Sequence, residues 1–494
     1  MKIRVLAFVA ALLFRPAFAG PAEIRVQLAA NPSSLDPAIA DDDYSSKVIY
    51  NTMDGLTGID ERGKLESRLA EKLVPSKGGR RYEAILRKGA VWSDGVPVTA
   101  DQFVDGIRRS LDPKTGSKLA SLLFVIRGAK EYYTGKGPAT GVGVTAKGDR
   151  VVFDLEKPTP YFPSLLALSQ AAPARLDLIR ANHGKWPETG PVTGPYRISL
   201  YRPDSEIRLE PNPKYWNFRR GALPVLLRIV PDESTAVSLF ESGMLDVVGR
   251  VPSYDLERFR KKGLVKSFPQ AATYFFSFNV RKPPFDSAAA RRAISGAVDR
   301  VGTAKLVDPE NVPADGWIPP NLEGFVRGNS MSKPLADGIA KNGAGLKKFK
   351  GEIVAAYSES ATNGIVMEKL QADVKKKLGI TLHLETLDWK AYLSALRSDP
   401  PNLYRFQRGA PFLDPIWHLA SFTSDDPNNP TGWKNSEYDR LVEKIASTPS
   451  GPTRKKLIAE AEKILVLDEA IVVPVYYPIG SHLVSARIRG FGMD

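Results

Sequence analysis

The chain contains no cysteine. That absence excludes disulfides, a thiol nucleophile, thiolate metal ligands and a lipidated cysteine as membrane anchor. Histidine is scarce: His183, His383, His418 and His482 stand far apart and show no HExxH or other paired-ligand spacing, so no metal centre is expected. A GxSxG elbow, an SxxK pair, a Walker loop and a Rossmann glycine fingerprint are all missing. The sequence therefore offers no catalytic constellation and no cofactor. Long apolar runs are absent too. The longest, Val5 to Phe14, is too short to cross a bilayer.

That run has another reading. Lys2 and Arg4 precede it, and Pro16 and Ala17-Phe18-Ala19 follow it, the pattern of a secretory signal covering residues 1–19. Arg15 is an unusual charge so near the cleavage point. The mature chain is expected to be soluble and periplasmic, without a lipid anchor, and long enough for two or three domains. A hydrophobic content of 43% supports ordinary globular burial, whereas the formal charge of +14 raises the question of an anionic partner. The basic clusters 258–262, 347–350 and 375–377 are scattered and accompany no groove-reading motif, so nucleic acid is not expected.

Turn residues divide the rest into α/β segments. Residues 24–29, 82–87 and 151–155 alternate as strands, and Thr99 with Gln102 forms a capping box for a helix running through Ile107. Residues 193–198 and 207–210 bracket a hairpin. Residues 226–230, 232–241 and 245–248 read as a βαβ unit with parallel strands. Tyr274, Phe276, Phe278 and Val280 alternate with Phe275, Ser277 and Asn279, predicting a half-buried strand with one apolar and one mixed face, followed by a helix capped at Asp286 or Ser287. A second α/β unit follows: a strand at 353–356, a helix with Met367, Leu370, Val374 and Leu378 closed by Gly379, and a strand over 380–384. Residues 471–477 form a late strand, and Asn321 to Gly345 is loop-like. Two α/β lobes predict a ligand cleft beyond the carboxyl ends of their strands.

Binding chemistry concentrates in two places. Trp389 and Tyr392 follow a predicted strand, and Arg405, Arg408, Asp414 and Trp417 lie in an aromatic stretch from Tyr404, where guanidinium forks suit a carboxylate or phosphate. Asp41, Asp42 and Asp43 form an acidic loop, able to meet a ligand amine or simply solvated.

The residues Ser34-Leu-Asp-Pro37, Trp92-Ser-Asp-Gly95 with Pro97-Val-Thr-Ala-Asp101, Thr193-Gly-Pro-Tyr196, Asn212-Pro-Lys-Tyr-Trp216, Phe285-Asp-Ser287 through Arg300, and Trp433-Lys-Asn435 with Tyr438-Asp439 resemble the oligopeptide- and dipeptide-binding proteins of ABC importers. The resemblance covers nearly the whole mature chain in collinear order. It implies a two-lobed periplasmic-binding-protein fold with an inserted domain: domain I from 20–46, 172–270 and 474–494, domain II from 47–171, and domain III from 271–473. It implies a small-molecule or peptide ligand held between domains I and III, a monomeric state, and delivery to an inner-membrane ABC permease with a cytoplasmic ATPase. The strand from Tyr274 to Val280 becomes one of two hinge-crossing strands, with Asn279 beside the cleft. Arg405 and Trp389 match cleft residues, and Asp41 to Asp43 match a segment running along the ligand. The expected ligand-binding set is Asp41, Asp43, Tyr274, Asn279, Trp389, Arg405, Arg408, Asp414 and Trp417. A periplasmic hydrolase and a sensor module without transport are the readings from other classes.

One motif departs from the family. Its peptide-binding members carry an aspartate for the ligand's α-amino group in a run resembling Trp-x-Ala-Asp-Tyr-x-Asp/Glu-Pro. Aligned on Pro415, that aspartate falls on Pro411 and the tryptophan on Arg408, while a further site aromatic becomes Leu119. Burying an ammonium without its carboxylate costs roughly 2–5 kcal/mol. Asp414 could substitute only if the loop were rearranged. A more cationic cleft is expected, suited to a blocked peptide or to an anionic solute such as an opine-like compound or a sugar phosphate.

Overall fold

β-Forming runs punctuated by glycine and proline build the chain in three blocks. The computed structural model describes residues 23–60, 63–249, 251–328, 331–426 and 429–492, so the expected signal segment lies outside it. β1 (Ile24–Leu28) opens the first block. The inserted block carries β2 (Thr57–Ile59), β3 (Leu65–Ser67), β4 (Ala70–Ser76), β5 (Arg81–Leu86), β6 (Val144–Lys147) and β7 (Arg150–Asp154). The chain then returns to the first block as β8 (Tyr196–Arg202), β9 (Glu206–Pro211), β10 (Val225–Ile229), β11 (Val247–Val248) and β12 (Val265–Pro269). The last block holds β13 (Ala272–Phe278), β14 (Val312–Pro313), β15 (Val354–Ser358), β16 (His383–Leu387), β17 (Leu403–Gly409) and β18 (Val472–Tyr477), after which β19 (Ile479–Val484) rejoins the first.

Seven strands form the first lobe's sheet in the order β12-β19-β11-β1-β10-β9-β8, and six form the second lobe's in the order β14-β18-β13-β17-β15-β16. The inserted domain has its own sheet, β4-β5-β7-β6, beside the β2–β3 ribbon. This is the two-lobed α/β architecture with an insertion. The 193–210 hairpin forms as antiparallel β8–β9. β10 and β11 are parallel as predicted, but through β1, which pairs with both. The Thr99–Gln102 capping box and the left-handed Gly379 cap are both present.

Three expectations change. β13 is buried along its entire length because it lies between β17 and β18 with packing on both faces. Tyr274, Phe276 and Phe278 belong to one buried core with Ile294 and Leu370, while Phe275, on the other face, meets Trp317 and Phe422. Its polar members are satisfied by backbone: Ser277 donates to Ile471 O at 2.7 Å and Thr273 to Trp317 O at 3.0 Å. The 321–345 stretch is not all loop. It contains helices Ser332–Asp337 and Ile339–Leu346, in which Gly343 serves close packing, since a Cβ there would stand 2.8 Å from Leu378 Cδ2. A Cβ on Gly296, in the facing helix, would stand 2.2 Å from Leu335 O. The domain boundaries also move. Residue 47 falls inside helix Asp43–Thr52, whose Val48 packs in the first lobe's core, so the insertion begins after Thr52. β18 belongs to the second lobe, so the return crossing comes at Pro478 rather than at 474.

The lobes are joined at two adjacent crossings, Gln270–Ala271 between β12 and β13, and Pro478 between β18 and β19. Gln270 N donates to Pro478 O at 3.1 Å, binding the crossings together. Beside them Arg260 donates to Asp308 at 2.8 Å, Ser481 donates to the same carboxylate at 3.1 Å, and Ile479 N donates to Asn311 Oδ1 at 2.9 Å. The inserted domain is tied to the first lobe by the Arg109–Asp36 bidentate pair and by Trp216 Nε1 donating to Asp54 at 2.8 Å, with Arg87 of the insertion over the Trp216 ring.

Candidate binding cleft

Strand direction places the site. β1, β10, β11 and β12 all run the same way, since β11 and β12 are both antiparallel to β19. β12 leads straight into the crossing, so the carboxyl ends of these four strands face it. In the second lobe β13 starts at the crossing, β17 returns antiparallel to it, and β15 and β16 run parallel to β17. Their carboxyl ends therefore face the crossing as well, and Ala410 N donates to Ala271 O at 2.9 Å there. Each sheet presents to the other the edge where open α/β sheets hold ligands.

On the second lobe this edge carries Ser358, Trp389 and the segment after Arg408. Asp388 caps helix Trp389–Ser398 by accepting from Lys390 N and Ala391 N, each at 3.0 Å, which sets Trp389 at the helix start. Trp389 is 54% exposed and stacks on Phe406 at 6.2 Å. Arg405 is buried over the Tyr274 ring and donates to Ser358 Oγ. Arg408 lies 5.6 Å from the centroid of Trp417, whose indole N–H donates to Gly409 O at 2.9 Å. Burial holds the Arg408 guanidinium below its usual range, with Asp426 acting against the shift. Among the described residues neither Arg405 Nε nor Arg408 Nε has a hydrogen-bond acceptor. His418, beneath this segment, is pushed down to about 3 by burial and by the Arg408 charge, and so is neutral.

Other expected site residues are engaged elsewhere. Tyr274 is interior, stacked on Tyr476 at 4.7 Å with its hydroxyl donating to Asn363 at 3.2 Å. Asn279 is buried as well, donating to Pro400 O at 2.8 Å and accepting from Arg281 N at 3.1 Å, so it braces a turn instead of facing the cleft. Asp414 accepts two hydrogen bonds from Arg454, at 2.7 and 2.8 Å, while Arg454 also donates to Glu323 at 2.8 Å and to Ile445 O at 3.0 Å. Arg454 is 2% exposed. Burial acts to lower its pKa, but the hydrogen bonds it donates to both carboxylates, with their charges, leave it above the usual value.

On the first lobe the three adjacent aspartates separate in role. Asp42 caps helix Asp43–Thr52 and accepts from Ser33 and Ser45; these bonds outweigh burial and lower its pKa. Asp41 pairs with Lys118 of the inserted domain at 2.6 Å, and Asp43 is exposed in the helix's first turn. Sequence reasoning missed Phe406, Arg454 and Tyr161. Phe406 carried a signal in the aromatic run. Tyr161, from the inserted domain, stacks on Phe412 at 5.8 Å, a partner no local pattern indicates. Its phenol is pushed up to about 12, first by burial and then by the Asp414 charge.

Two α/β lobes with opposed carboxyl edges, joined by a hydrogen-bonded double crossing, define a hinged solute-binding protein. Comparison agrees. The model of the bacterial extracellular solute-binding proteins, family 5 (middle) matches residues 64–430, and the chain belongs to that family. The oligopeptide-binding protein OppA of Bacillus subtilis is 29% identical over 493 residues, covering 95% of this chain and 90% of its own length. The probable deoxycholate-binding periplasmic protein YgiS of Escherichia coli is 29% identical over 479 residues, covering 93% of this chain and 89% of its own. Haemophilus influenzae OppA in complex with RPPGFSPFR superposes with a TM-score of 0.80 at 25% identity, covering 95% of this chain and 96% of that one. No helix among the described residues is long and apolar enough to cross a membrane.

Proposed function

We propose that this protein is the periplasmic capture component of an ABC importer, closing its two lobes on a peptide or peptide-like solute and presenting it to a membrane permease. The observation that carries the reading is the pair of opposed carboxyl-end edges across crossings pinned by Gln270 and Pro478. A pinned double crossing permits rotation of one lobe against the other while resisting separation, the hinge closure by which such proteins enclose a ligand. The ligand drives closure only through contacts stronger in the closed state. Trp389, Arg405, Arg408 and Trp417 serve the second-lobe side, and Asp41 and Asp43 the first. The chain binds its solute and returns it unchanged, without enzymatic turnover. The peptide-binding names of the relatives and the peptide in the H. influenzae complex support this class of ligand.

A second reading, a non-peptide anionic solute on the same fold, is favoured by the charge balance of the 408–417 segment. Its only carboxylate, Asp414, is committed to Arg454, position 411 is proline, and Arg408 supplies a positive charge. The YgiS name offers one such ligand class among relatives.

Native mass spectrometry of freshly purified protein should find a solute bound, and small-angle scattering should show a smaller radius of gyration when it is present. Calorimetry with free and N-acetylated tri- to pentapeptides and with deoxycholate separates the two readings. Tight binding of unmodified peptides that survives Pro411→Ala restores the ordinary peptide role. Failure to bind any member of these classes, with no compaction, removes the capture function.

A further inference from the structure

We propose that the groove between the inserted domain and the second lobe is a second binding site, separate from the interlobe cleft, which takes a polyvalent phosphate-type anion and is complete only when these two bodies are docked. The groove has a volume of about 390 Å³ and is lined by Arg80, Lys157 and Pro158 on the inserted domain and by Arg440, Glu443 and Lys444 on the second lobe. Four cations thus surround it against one carboxylate, and Glu443 already bonds Lys157 across the gap. That pairing holds Glu443 below the usual carboxylate range, so it stays ionised and bound to the lysine.

Both rims are pre-set. Leu155 N donates to Arg80 O at 2.8 Å and Thr159 N to Gly79 O at 3.2 Å, fastening Arg80 beside the Lys157–Pro158 turn. On the other side Arg440, Glu443, Lys444 and Ser447 occupy one face of helix Ser436–Ser447, while Tyr438, Val442 and Ile445 are buried on its opposite face. The Arg440 Nε donates to Ser436 O at 3.1 Å, and the guanidinium's other N–H groups are further donors that an anion can accept from.

Docking brings like charges together, and a bound polyanion would turn their repulsion into attraction. Nearby the stacked Tyr161–Phe412 pair joins the same two bodies. An anion that bridges both rims therefore favours the docked arrangement, and by linkage any ligand that favours docking strengthens the anion site. The volume exceeds the needs of a single phosphate group and fits a linked pair. Such a group could be free in solution or displayed on an anionic lipid surface.

The test uses the full mature protein at fixed ionic strength, with pyrophosphate as probe and calorimetry as readout. Saturable binding is expected, weakened at least about tenfold by the double variant Arg440→Gln/Lys444→Gln. A control, Lys347→Gln/Lys348→Gln, removes the same charge from exposed positions elsewhere and should bind like the parent. Tyr161→Ala keeps all four cations but loosens the docking, so it should also weaken binding. Circular dichroism checks that each variant is folded. Equal losses in both double variants would reduce the effect to net charge and overturn the site, and full binding in Tyr161→Ala would overturn its dependence on docking. Flotation with phosphatidylglycerol vesicles separates the sources: retention lost in the Arg440/Lys444 variant assigns the anion to a lipid surface, and no retention assigns it to solution.

Discussion

At the scale of single residues, buried charges organise the segment that follows Arg408. Arg454 holds Asp414 and Glu323 from behind, so the loop's carboxylate is structural. Asp414→Ala should cost about 3–5 kcal/mol in urea denaturation, because it leaves a buried guanidinium short of a partner; a loss within error would show that Glu323 alone satisfies Arg454. Glu462 behaves oppositely. Its Oε1 accepts from Trp317 N and Ile318 N, at 2.6 and 2.9 Å, yet burial prevails and raises its pKa to about 7. The folded state therefore holds a proton that the unfolded state releases near 4.5, and this contribution to stability is lost as pH rises from about 4.5 to 7. Glu462→Gln removes that loss, so the stability of the variant relative to the parent should climb by roughly 3 kcal/mol across the window. His418 works in the other direction, because its depressed pKa makes stability fall as pH drops below about 6.5. Parallel denaturation profiles of parent and Glu462→Gln from pH 4.5 to 7.5 would refute the assignment to Glu462.

At the scale of elements, local patterning was readable wherever a residue's neighbours in sequence are also its neighbours in space. The Thr99–Gln102 box, the Gly379 cap and the β8–β9 hairpin are of this kind. Packing between elements is different. The glycine-containing 332–346 stretch resembled a loop because close helix contacts and turns both select glycine, and only the facing helix distinguishes them. Gly296→Val should therefore cost about 1–3 kcal/mol through its clash with Leu335 O. Hydrogen exchange should show protection lost in residues 332–346 first, and uniform loss across the second lobe would argue against a local contact.

At the scale of the molecule, the inserted domain is tied to the first lobe by buried polar contacts and to the second by apolar packing, its core sharing one buried cluster with Phe275, Trp317 and Phe412. The Arg109–Asp36 pair and the Trp216–Asp54 bond fasten one side, while Tyr161–Phe412 and the exposed Lys157–Glu443 pair touch the other. Asp36→Ala should cost about 3–5 kcal/mol by stranding the largely buried Arg109, and it should split a single calorimetric transition into two as the insertion melts apart. One transition at an unchanged temperature would mean that this pair does not couple the domains.

The sequence by itself determined the kinds of elements, the presence of two α/β lobes, and the absence of cysteine with the chemistry that absence removes. These follow from repeats of two and 3.6 residues and from caps, all of which act over a few bonds. That neither face of β13 is open, where the chain crosses between lobes, and which of the expected site residues are taken up by the scaffold depended on distant partners. Tyr274 is engaged by Asn363, 89 residues away, Asn279 by Pro400, 121 residues away, and Asp414 by Arg454, 40 residues away. A buried polar group must find a partner wherever the fold supplies one. Tertiary structure therefore decided that these three side chains serve the scaffold, while Trp389 and Arg408 stand at the opposed strand ends.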